Sequence, residues 1–350
     1  MRSSSGGALL LAVDAGGTST RAVVAGTDGT CLGYAAGSAG NPTSAGPEAA
    51  LAAVTGAAAA ALARAGRRAE EVGAVLVAMA GDRRLLARAD LARGLGFTGE
   101  PAQLRTGPDI LAMYFSGASE PTGCAVIAGT GSAAAQVRDG QVARAVGGCG
   151  WLLGDGGSGF ALGHAVVRAV VAELEGTGPA TALTGLLLGA LGLARTGTAE
   201  EGRSRALQEL MDVSYAERPV ALARHAPLAF AAPDDPVARA VVAAAQDDLA
   251  RLVAAVRDGA PDAPLVLGGS AMHHGLLAPG RPVTPSLGAA LAGADVRPAR
   301  DGAVGAAVAC LAALGAPGTP VPRDVVERLH RTVDAQRTAA AAAAAGASRP

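Results

Sequence analysis

Residues 10–20, LLAVDAGGTST, decide the fold: an apolar run ends in the carboxylate of Asp14, and two glycines and three hydroxyl residues follow. The next residues, 21–25, are again mostly apolar, so the pattern predicts a β-hairpin with a bare backbone tip. Successive backbone amides in such a turn form a concave nest that favours anions. Because Asp14 beside this nest would repel a phosphate on its own, we expect a cation between the two groups. The stretch therefore predicts a site for a magnesium nucleotide.

The same pattern occurs a second time at residues 123–132, GCAVIAGTGS. In both copies a further apolar run leads to an Asp-Gly pair, Asp28-Gly29 in the first and Asp139-Gly140 in the second. Asp-Gly between apolar runs is a strong signal for a two-residue hairpin turn. Each copy thus predicts a strand, a phosphate-type turn, a strand, an Asp-Gly turn and a strand. Two such units can face one nucleotide across a cleft.

The rest of the chain alternates between helical and strand patterns. Helices are predicted over residues 47–65, 84–95 and 108–115, and a buried strand over 72–79. Residues 180–260 are mostly helical, with a long amphipathic stretch over 236–257, and 264–267 is a strand. This alternation is typical of an α/β protein with a largely parallel sheet and helices on its faces.

The composition limits the class of protein. The chain has 350 residues, enough for two domains, and 50% of them are hydrophobic. Its 29 basic residues are all arginine and are dispersed over a chain of net charge −1, which gives no support for nucleic-acid binding. Because there is no lysine, the chain has no P-loop lysine. Phosphate charge must therefore be met by backbone amides, hydroxyls, Mg²⁺ or arginine.

Location and redox state follow from two further features. The first apolar run is too short for the core of a signal peptide, and no run reaches the apolar length of a membrane helix. We therefore expect a soluble, cytoplasmic protein with no membrane partner. The four cysteines have no CxxC spacing, so reduced core thiols are expected rather than a disulfide or a zinc site. They are Cys31, Cys124, Cys149 and Cys310.

A series of short motifs follows one fixed order along the chain. They are Asp14 to Thr18, Asn41, Ala80-Gly81, Asp109, Gly129 to Ser132, Gly154-Asp155 and Gly268 to Ser270. This order resembles the BadF/BadG/BcrA/BcrD-type ATPases of the sugar kinase, actin and heat-shock chaperone superfamily, and within that family the N-acetylglucosamine kinases. The resemblance covers residues 10–314.

The resemblance implies a specific architecture. Two duplicated ribonuclease H-like (actin-like ATPase) α/β domains with a central cleft are expected, the first at residues 1–117 and the second at 118–316. The second domain would carry a helical insert on the nucleotide side, and its last helix, 301–314, would pack back toward the hinge. Residues 337–350 are rich in alanine and are expected to form a disordered tail.

The resemblance also implies that ATP and Mg²⁺ lie between the domains. Asp14 matches the residue that holds Mg²⁺, mostly through water. The residues that match the two phosphate loops and the adenosine turn are Gly16, Gly17 and Thr18, then Gly129, Thr130, Gly131 and Ser132, then Gly268, Gly269 and Ser270.

The likeness extends to the acceptor side of the site. Asp109 matches the catalytic carboxylate, which takes the proton of the attacking hydroxyl. Five residues match sugar-binding positions of the family: Asp109 itself, Asn41, Gly81, Gly148 and Asp155. The resemblance therefore implies a kinase that passes the γ-phosphoryl group of ATP to the 6-hydroxyl of N-acetylglucosamine or a related amino sugar, and it allows a homodimer.

Each candidate residue also has a simpler interpretation. Asp14 suits a turn cap at a strand end, Asp109 suits the first turn of a helix, and Asp155 suits a Gly-rich turn. Asn41-Pro42 is a common turn pair. Trp151 suits either the floor of a sugar site or packing beneath its loop.

Departures from the family pattern leave the substrate open. In the Gly-rich loop, Cys149 stands where family kinases usually have tryptophan, and Gly156 stands where they have glutamate. Glucosamine or another amino sugar is therefore an alternative acceptor. A second alternative is the activating ATPase of a 2-hydroxyacyl-CoA dehydratase or benzoyl-CoA reductase, although Cys124 and Cys149 match its cluster-binding cysteine pair poorly. A third is a non-enzymatic sugar sensor on the same fold.

Overall fold

The computed structural model of the chain describes residues 8–195, 197 and 202–347. The first sheet consists of β1 (Leu9–Ala15), β2 (Thr20–Gly26), β3 (Cys31–Gly37), β4 (Val72–Met79) and β5 (Leu104–Pro108). Its strand order is β3-β2-β1-β4-β5. The first three strands form an antiparallel meander, and β4 pairs parallel with both β1 and β5.

The second sheet repeats this arrangement. It consists of β6 (Gly123–Ala128), β7 (Ser132–Arg138), β8 (Gln141–Gly147), β9 (Leu265–Gly268) and β10 (Val296–Pro298), in the order β10-β9-β6-β7-β8. Here too the first three strands form an antiparallel meander, and β9 pairs parallel with β6 and β10. The predicted duplication and the two-domain α/β fold are therefore confirmed.

Thirteen helices in the described ranges connect and cover the sheets. The first part contains α1 (Pro42–Ala45), α2 (Pro47–Ala65), α3 (Arg88–Leu95) and α4 (Asp109–Gly117). The second contains α5 (Gly150–Leu153), α6 (Gly159–Leu174), α7 (Ala182–Leu191), α8 (Arg205–Tyr215), α9 (Leu228–Ala231), α10 (Pro236–Arg257) and α11 (Pro285–Leu291). Last come α12 (Gly302–Leu314) and α13 (Arg323–Ala347). The helix predicted over 84–95 is shorter, because Leu86 and Ala87 are extended and separate a 3₁₀ turn from α3.

Two helices join the domains. α4 leads from β5 toward the second sheet, whereas α12 follows the second sheet but packs against β1 and α4. Their buried faces share one core with both sheets, including Leu10, Tyr114, Val266 and Ala307. The segment 301–314, expected from the resemblance to pack back toward the hinge, forms α12, which contacts β1 and α4.

α2 bears on the expectation that no segment spans a membrane. By length and composition it is the one helix in the described ranges that is long and apolar enough to do so. Its apolarity comes from alanine, and one face of it is buried against β2 and β3. Ala50, Val54 and Ala58 on that face share a core with Val13 of β1. The helix thus covers one side of the first sheet.

α13 corrects a second expectation. Residues 337–347, predicted to lie in a disordered tail, continue this helix to Ala347, while 348–350 lie outside the described residues. Alanine has the highest intrinsic helix propensity, so an alanine-rich run extends a helix that packing has already started. That packing is supplied by Leu329 and Val333, which are fully buried. α13, not α12, is therefore the last helix, and it lies along β3.

Candidate functional site

Three predicted site residues lie at the carboxyl ends of neighbouring parallel strands of the first sheet. Asp14 is the second-last residue of β1, Gly81 comes two residues after β4, and Asp109 directly follows β5. The parallel registers of β1 with β4 and of β4 with β5 bring these strand ends to one edge of the sheet. In α/β folds, ligands bind outside the carboxyl ends of the strands. The structure therefore gathers these three residues where a ligand site is expected.

The carboxylate of Asp14 lies against the start of α12, with 17% of its side chain exposed. Gly302, the first residue of that helix, approaches so closely that a Cβ atom there would overlap Oδ2 of Asp14. The pKa of Asp14 is raised to about 7, chiefly by burial; Arg21 opposes the rise, and the carboxylates of Asp109 and Asp301 add to it. This pocket penalises an uncompensated negative charge, so a cation bound here would be favoured.

Asp109 is the first residue of α4. Its Oδ1 accepts a hydrogen bond from the backbone N–H of Ile110 at 2.9 Å, as expected of an acid in the first turn of a helix. Burial raises the pKa of Asp109, and this is partly offset by that N–H and by the charge of Arg83. Asp109 is thus a partly buried carboxylate near Asp14, and its Oδ2 has no hydrogen-bond partner among the described contacts.

The first phosphate loop is a tight turn with an open tip. The N–H of Gly16 donates to the carbonyl of Ser19 at 2.9 Å, and the N–H of Gly40 donates to the carbonyl of Gly16 at 3.0 Å. Gly17 and Thr18 are exposed, and a Cβ at Gly17 would meet nothing within 4 Å. The bare tip predicted from the sequence is therefore present, and ligand atoms can approach its amides.

Asn41 and Gly81 lie together at the same edge. Oδ1 of Asn41 accepts hydrogen bonds from the N–H groups of Thr43 at 2.9 Å and Ser44 at 3.4 Å, and so caps α1. The N–H of Asp82 in turn donates to Oγ1 of Thr43 at 2.8 Å, which holds the loop after β4 beside Asn41. The turn role of Asn41 is confirmed for Oδ1, while its Nδ2 has no described hydrogen bond.

The second phosphate loop is fixed by the Gly-rich loop. The N–H of Ser132 donates to Oδ1 of Asp155 at 3.0 Å, and Oγ of Ser132 donates to the carbonyl of Gly156 at 2.7 Å. The N–H of Gly148 donates to the carbonyl of Ser132 at 2.9 Å. Both ends of the Gly-rich loop are therefore hydrogen-bonded to Ser132, one through Gly148 and the other through Asp155 and Gly156. The turn-ordering role of Asp155 is confirmed, and the same contact places Asp155 and Gly148 next to the phosphate loop.

A cavity of about 230 Å³ adjoins the second phosphate loop. Its lining includes Gly129 and Thr130 of the loop, together with Ser270, Phe230 and His274. The cavity thus combines backbone and hydroxyl groups with an aromatic ring. A nucleoside suits such a cavity, because ligand sites combine apolar walls with a few polar groups.

The predicted adenosine turn lies behind this cavity. Gly268 ends β9 and is buried against Met113, and Gly269 follows with a φ of 97°. A Cβ at Gly269 would overlap the carbonyl of Ala128, directly before the second phosphate loop. Of the three predicted residues, only Ser270 lines the cavity; the glycines let the chain pass close to the loop.

The two phosphate loops belong to separate sheets. None of the described hydrogen bonds joins residues 16–18 to residues 129–132. The structure instead connects the two halves of the site through α12, which follows the second sheet and contacts Asp14 through Gly302.

Two charged residues of the site were not predicted. Nη1 of Arg21 lies 3.8 Å from Oδ2 of Asp14 and 3.9 Å from Oδ1 of Asp301. Arg21 pairs with Asp14 across the hairpin, and this register is the signal that would have identified it. For Asp301 the sequence holds no comparable local signal, because it reaches Asp14 only through the packing of α12.

The cysteines and Trp151 divide between core and surface. Cys31, Cys124 and Cys310 are buried free thiols, and burial raises the pKa of Cys31 to about 11. Cys149 is also free but exposed, so the expectation of a core thiol is wrong for it. Trp151 is 42% exposed, and its ring lies 5.9 Å from the ring of Phe160.

The residues present fit Mg²⁺ bound together with a nucleotide. In the described ranges no three His, Cys, Asp or Glu side chains are grouped as a metal site. Mg²⁺ is usually held by one or two carboxylates with phosphates and water rather than by a protein-only cage. The partly buried carboxylate of Asp14 near Asp109 and the open first phosphate loop match that donor set.

Comparisons with known proteins agree with this geometry. The sequence profile of the BadF/BadG/BcrA/BcrD ATPase family matches residues 11–310. The fold is similar to that of a candidate N-acetylglucosamine kinase from Chromobacterium violaceum, with 24% identity, 87% of this chain and 99% of that chain covered, and a TM-score of 0.62. A candidate N-acetylglucosamine kinase from Porphyromonas gingivalis has 21% identity, 86% and 97% coverage, and a TM-score of 0.61. Among curated proteins, none matches the chain significantly.

Proposed function

The chain belongs to the BadF/BadG/BcrA/BcrD ATPase family, and we propose that it is an ATP-dependent kinase that phosphorylates the 6-hydroxyl of an amino sugar. The observation that carries the proposal is the pair of partly buried carboxylates, Asp14 and Asp109, at one strand edge beside an open phosphate loop. One carboxylate suits a cation and the other suits an acceptor hydroxyl. N-acetylglucosamine is the first candidate substrate, because two solved structures with this fold are candidate N-acetylglucosamine kinases.

Nucleotide binding is assigned to both halves of the site. In this proposal the amides of Gly16 to Thr18 and of Gly129 to Ser132 bind the phosphates, and the cavity bordered by Ser270 takes the adenosine. Asp14 would hold Mg²⁺, mostly through water. When bound, Mg²⁺ would neutralise charge that develops on the phosphates during transfer.

Asp109 is assigned the role of proton acceptor. Phosphoryl transfer needs mainly positioning and charge neutralisation, plus a group that takes the proton of the attacking hydroxyl. Oδ1 of Asp109 is oriented by the N–H of Ile110, and Oδ2 is the oxygen that would face the alcohol. Burial raises the pKa of Asp109, which makes its carboxylate a stronger base than an exposed one.

The remaining polar groups are assigned to the sugar. Nδ2 of Asn41 offers two donors, and Oδ1 of Asn41 is already committed to α1, which fixes the side-chain orientation. Oδ2 of Asp155 offers an acceptor, while Oδ1 is held by Ser132. Gly81 and Gly148 would let backbone groups approach the ring. Because ATP is the proposed phosphoryl donor, the proposal includes a cytoplasmic location.

The decisive experiment is a coupled assay of ADP release with N-acetylglucosamine, glucosamine, glucose and no sugar. We expect sugar-dependent ADP release, greatest with an amino sugar, and a 6-phosphate product by NMR. Asp109→Asn should retain ADP binding and lose turnover about 10²-fold to 10⁴-fold, because general-base catalysis contributes that much. Near-normal turnover in Asp109→Asn would contradict the assignment of the base.

The same assay separates the alternatives. ATP hydrolysis without any sugar dependence would favour an activating ATPase, and sugar binding without ADP release would favour a sensor. The cysteines weigh against a shared iron–sulfur cluster, since Cys124 is buried with its Sγ donating to the carbonyl of Val256 at 3.1 Å, whereas Cys149 is exposed.

A further inference from the structure

Four charged side chains of alternating sign connect the first phosphate loop to the last helix. In order they are Asp14, Arg21, Asp301 and Arg337. Nη1 of Arg21 lies 3.8 Å from Asp14 and 3.9 Å from Asp301, and Nη1 of Arg337 lies 3.3 Å from Oδ2 of Asp301. The row begins on β1 and ends on α13, so it joins segments that are far apart in sequence.

Arg21 is shared between two carboxylates and fixed to neither. Both distances are longer than a direct hydrogen bond, and 38% of its side chain is exposed. Because it pairs with Asp14 across the hairpin, its side chain leaves the same face of the sheet. A small rotation of the long side chain is enough to favour one carboxylate over the other.

Asp301, in contrast, is held in place. Its Oδ1 accepts a hydrogen bond from the N–H of Ala303 at 2.9 Å and caps α12, and its Oδ2 accepts one from Arg337. Only 8% of its side chain is exposed. Asp301 is thus a fixed negative charge beside a movable positive one.

We propose that Asp301 is a positioning residue that draws Arg21 away from Asp14 when the magnesium nucleotide binds. The proposal rests on the nucleotide site of the proposed function. Arg21 beside Asp14 would compete with Mg²⁺ for the same carboxylate, since two cations at one carboxylate repel each other. With Asp301 as its alternative partner, Arg21 leaves Asp14 to the metal and stays close to the phosphate loop, in a chain that has no lysine for that purpose.

Arg337 sets how strongly Asp301 attracts Arg21. Both arginines share the one carboxylate of Asp301, so each weakens the hold of the other. Arg337 lies on α13 with 53% of its side chain exposed, and its influence is correspondingly screened. In this proposal the last helix acts on the metal site through Asp301.

The test measures ADP binding by calorimetry at a series of Mg²⁺ concentrations, without sugar. In Asp301→Asn, Arg21 has only Asp14 as partner, and we expect the Mg²⁺ concentration for half-maximal binding to rise about twofold to fivefold, the range of a partly exposed ion pair. Asparagine caps helices as well as aspartate does, so α12 should be retained. Asp235→Asn, the same substitution at the cap of α10, is the matched control and should leave the Mg²⁺ requirement unchanged.

A double-mutant cycle decides whether Asp301 acts through Arg21. In an Arg21→Gln background, Asp301→Asn should change the Mg²⁺ requirement little, because the residue it positions is gone. The proposal would be overturned if Asp301→Asn raised the Mg²⁺ requirement equally with and without Arg21. It would also be overturned if Asp301→Asn caused no rise in the protein that retains Arg21.

A second pair of variants tests the inference without touching the cap. Arg337→Ala should lower the Mg²⁺ requirement, by at most about twofold, because Asp301 is then left to Arg21. Arg328→Ala, on the same helix and paired with Asp28, should change nothing. A rise in Arg337→Ala would contradict the inference. Since no sugar is present, these outcomes are independent of whether the chain phosphorylates an amino sugar.

Discussion

Asp14 at the end of β1 and Gly302 at the start of α12 lie in direct contact, although one belongs to the first sheet and the other follows the second. No side chain fits between them. The carboxylate of one domain that we propose to hold Mg²⁺ is therefore covered by a helix from the other domain. A substitution that enlarges Gly302 acts on nucleotide binding without changing any residue assigned to the nucleotide.

Gly302→Ala should weaken binding of magnesium ADP and destabilise the fold. The new Cβ would overlap Oδ2 of Asp14, and overpacking of this kind costs about 1–3 kcal/mol. Calorimetry and urea unfolding measure the two effects. Gly185→Ala in α7, where a Cβ meets nothing within 4 Å, is the matched control and should stabilise or be neutral. Unchanged ADP binding in Gly302→Ala would contradict the contact.

As the pH is lowered, the rate of phosphoryl transfer should begin to fall at a higher pH than it would with a base of ordinary aspartate pKa. Burial raises the pKa of Asp109, and only its ionised form can accept the proton. The rate is therefore full above the raised pKa and is lost as the pH decreases through it. A profile of kcat at saturating magnesium ATP measures this limb. A rate that stays flat down to the ordinary carboxyl range around pH 4 would argue against Asp109 as the base.

Two substitutions of Asp155 should distinguish its role in loop structure from its proposed role in sugar binding. In Asp155→Asn, Oδ1 can still accept the N–H of Ser132, and asparagine tolerates the φ of 62°, so stability should change little. The KM for sugar should rise, because the negative charge is lost. Asp155→Ala leaves the buried N–H of Ser132 unpaired and should cost about 1–3 kcal/mol in the free energy of unfolding. Equal KM values for wild type and Asp155→Asn would remove Asp155 from the sugar site.

His330 should make the fold sensitive to mild acid. Burial, with a smaller effect of Arg300, lowers its pKa from 6.5 to about 4. Between these two values the unfolded chain binds the proton and the folded chain does not, so stability decreases as the pH falls through that window. The loss amounts to about 3 kcal/mol at most. Urea unfolding at pH 7 and pH 5 should show a smaller decrease for His330→Gln than for wild type.

The features that could be predicted from the sequence are local. Each hairpin unit is encoded by an apolar run, a glycine tip and an Asp-Gly pair. In the second unit Asp139 and Gly140 form the predicted two-residue turn, and both have the positive φ that it needs. In the first unit the turn is a three-residue loop over 27–29 that ends in Gly29 with positive φ. Asp14 was identified by its place at a strand end, whereas Asp109 was identified by its match to the catalytic carboxylate of the family. Because the hairpin signals are local, the duplicated sheets were predicted correctly.

The features that were missed depend on packing between distant segments. The contact of Gly302 with Asp14 depends on where α12 lies across two domains, and no sequence period encodes that placement. α13 was missed because its alanine run resembles a low-complexity tail, while the buried Leu329 and Val333 that anchor it come earlier. The exposure of Cys149 likewise depends on the hydrogen bond between the neighbouring Gly148 and Ser132, which are distant in sequence.

α13 also joins segments that lie about 300 residues apart in sequence. The N–H of Cys31 donates to Oγ1 of Thr332 at 3.0 Å, and Arg328 donates to the carbonyl of Asp28 at 2.9 Å. The first sheet thus lacks one of its covering layers until α13 has been synthesised. During translation the early hairpins would stay partly uncovered until α13 leaves the ribosome, and a chain cut short before α13 would leave β3 uncovered and prone to self-association.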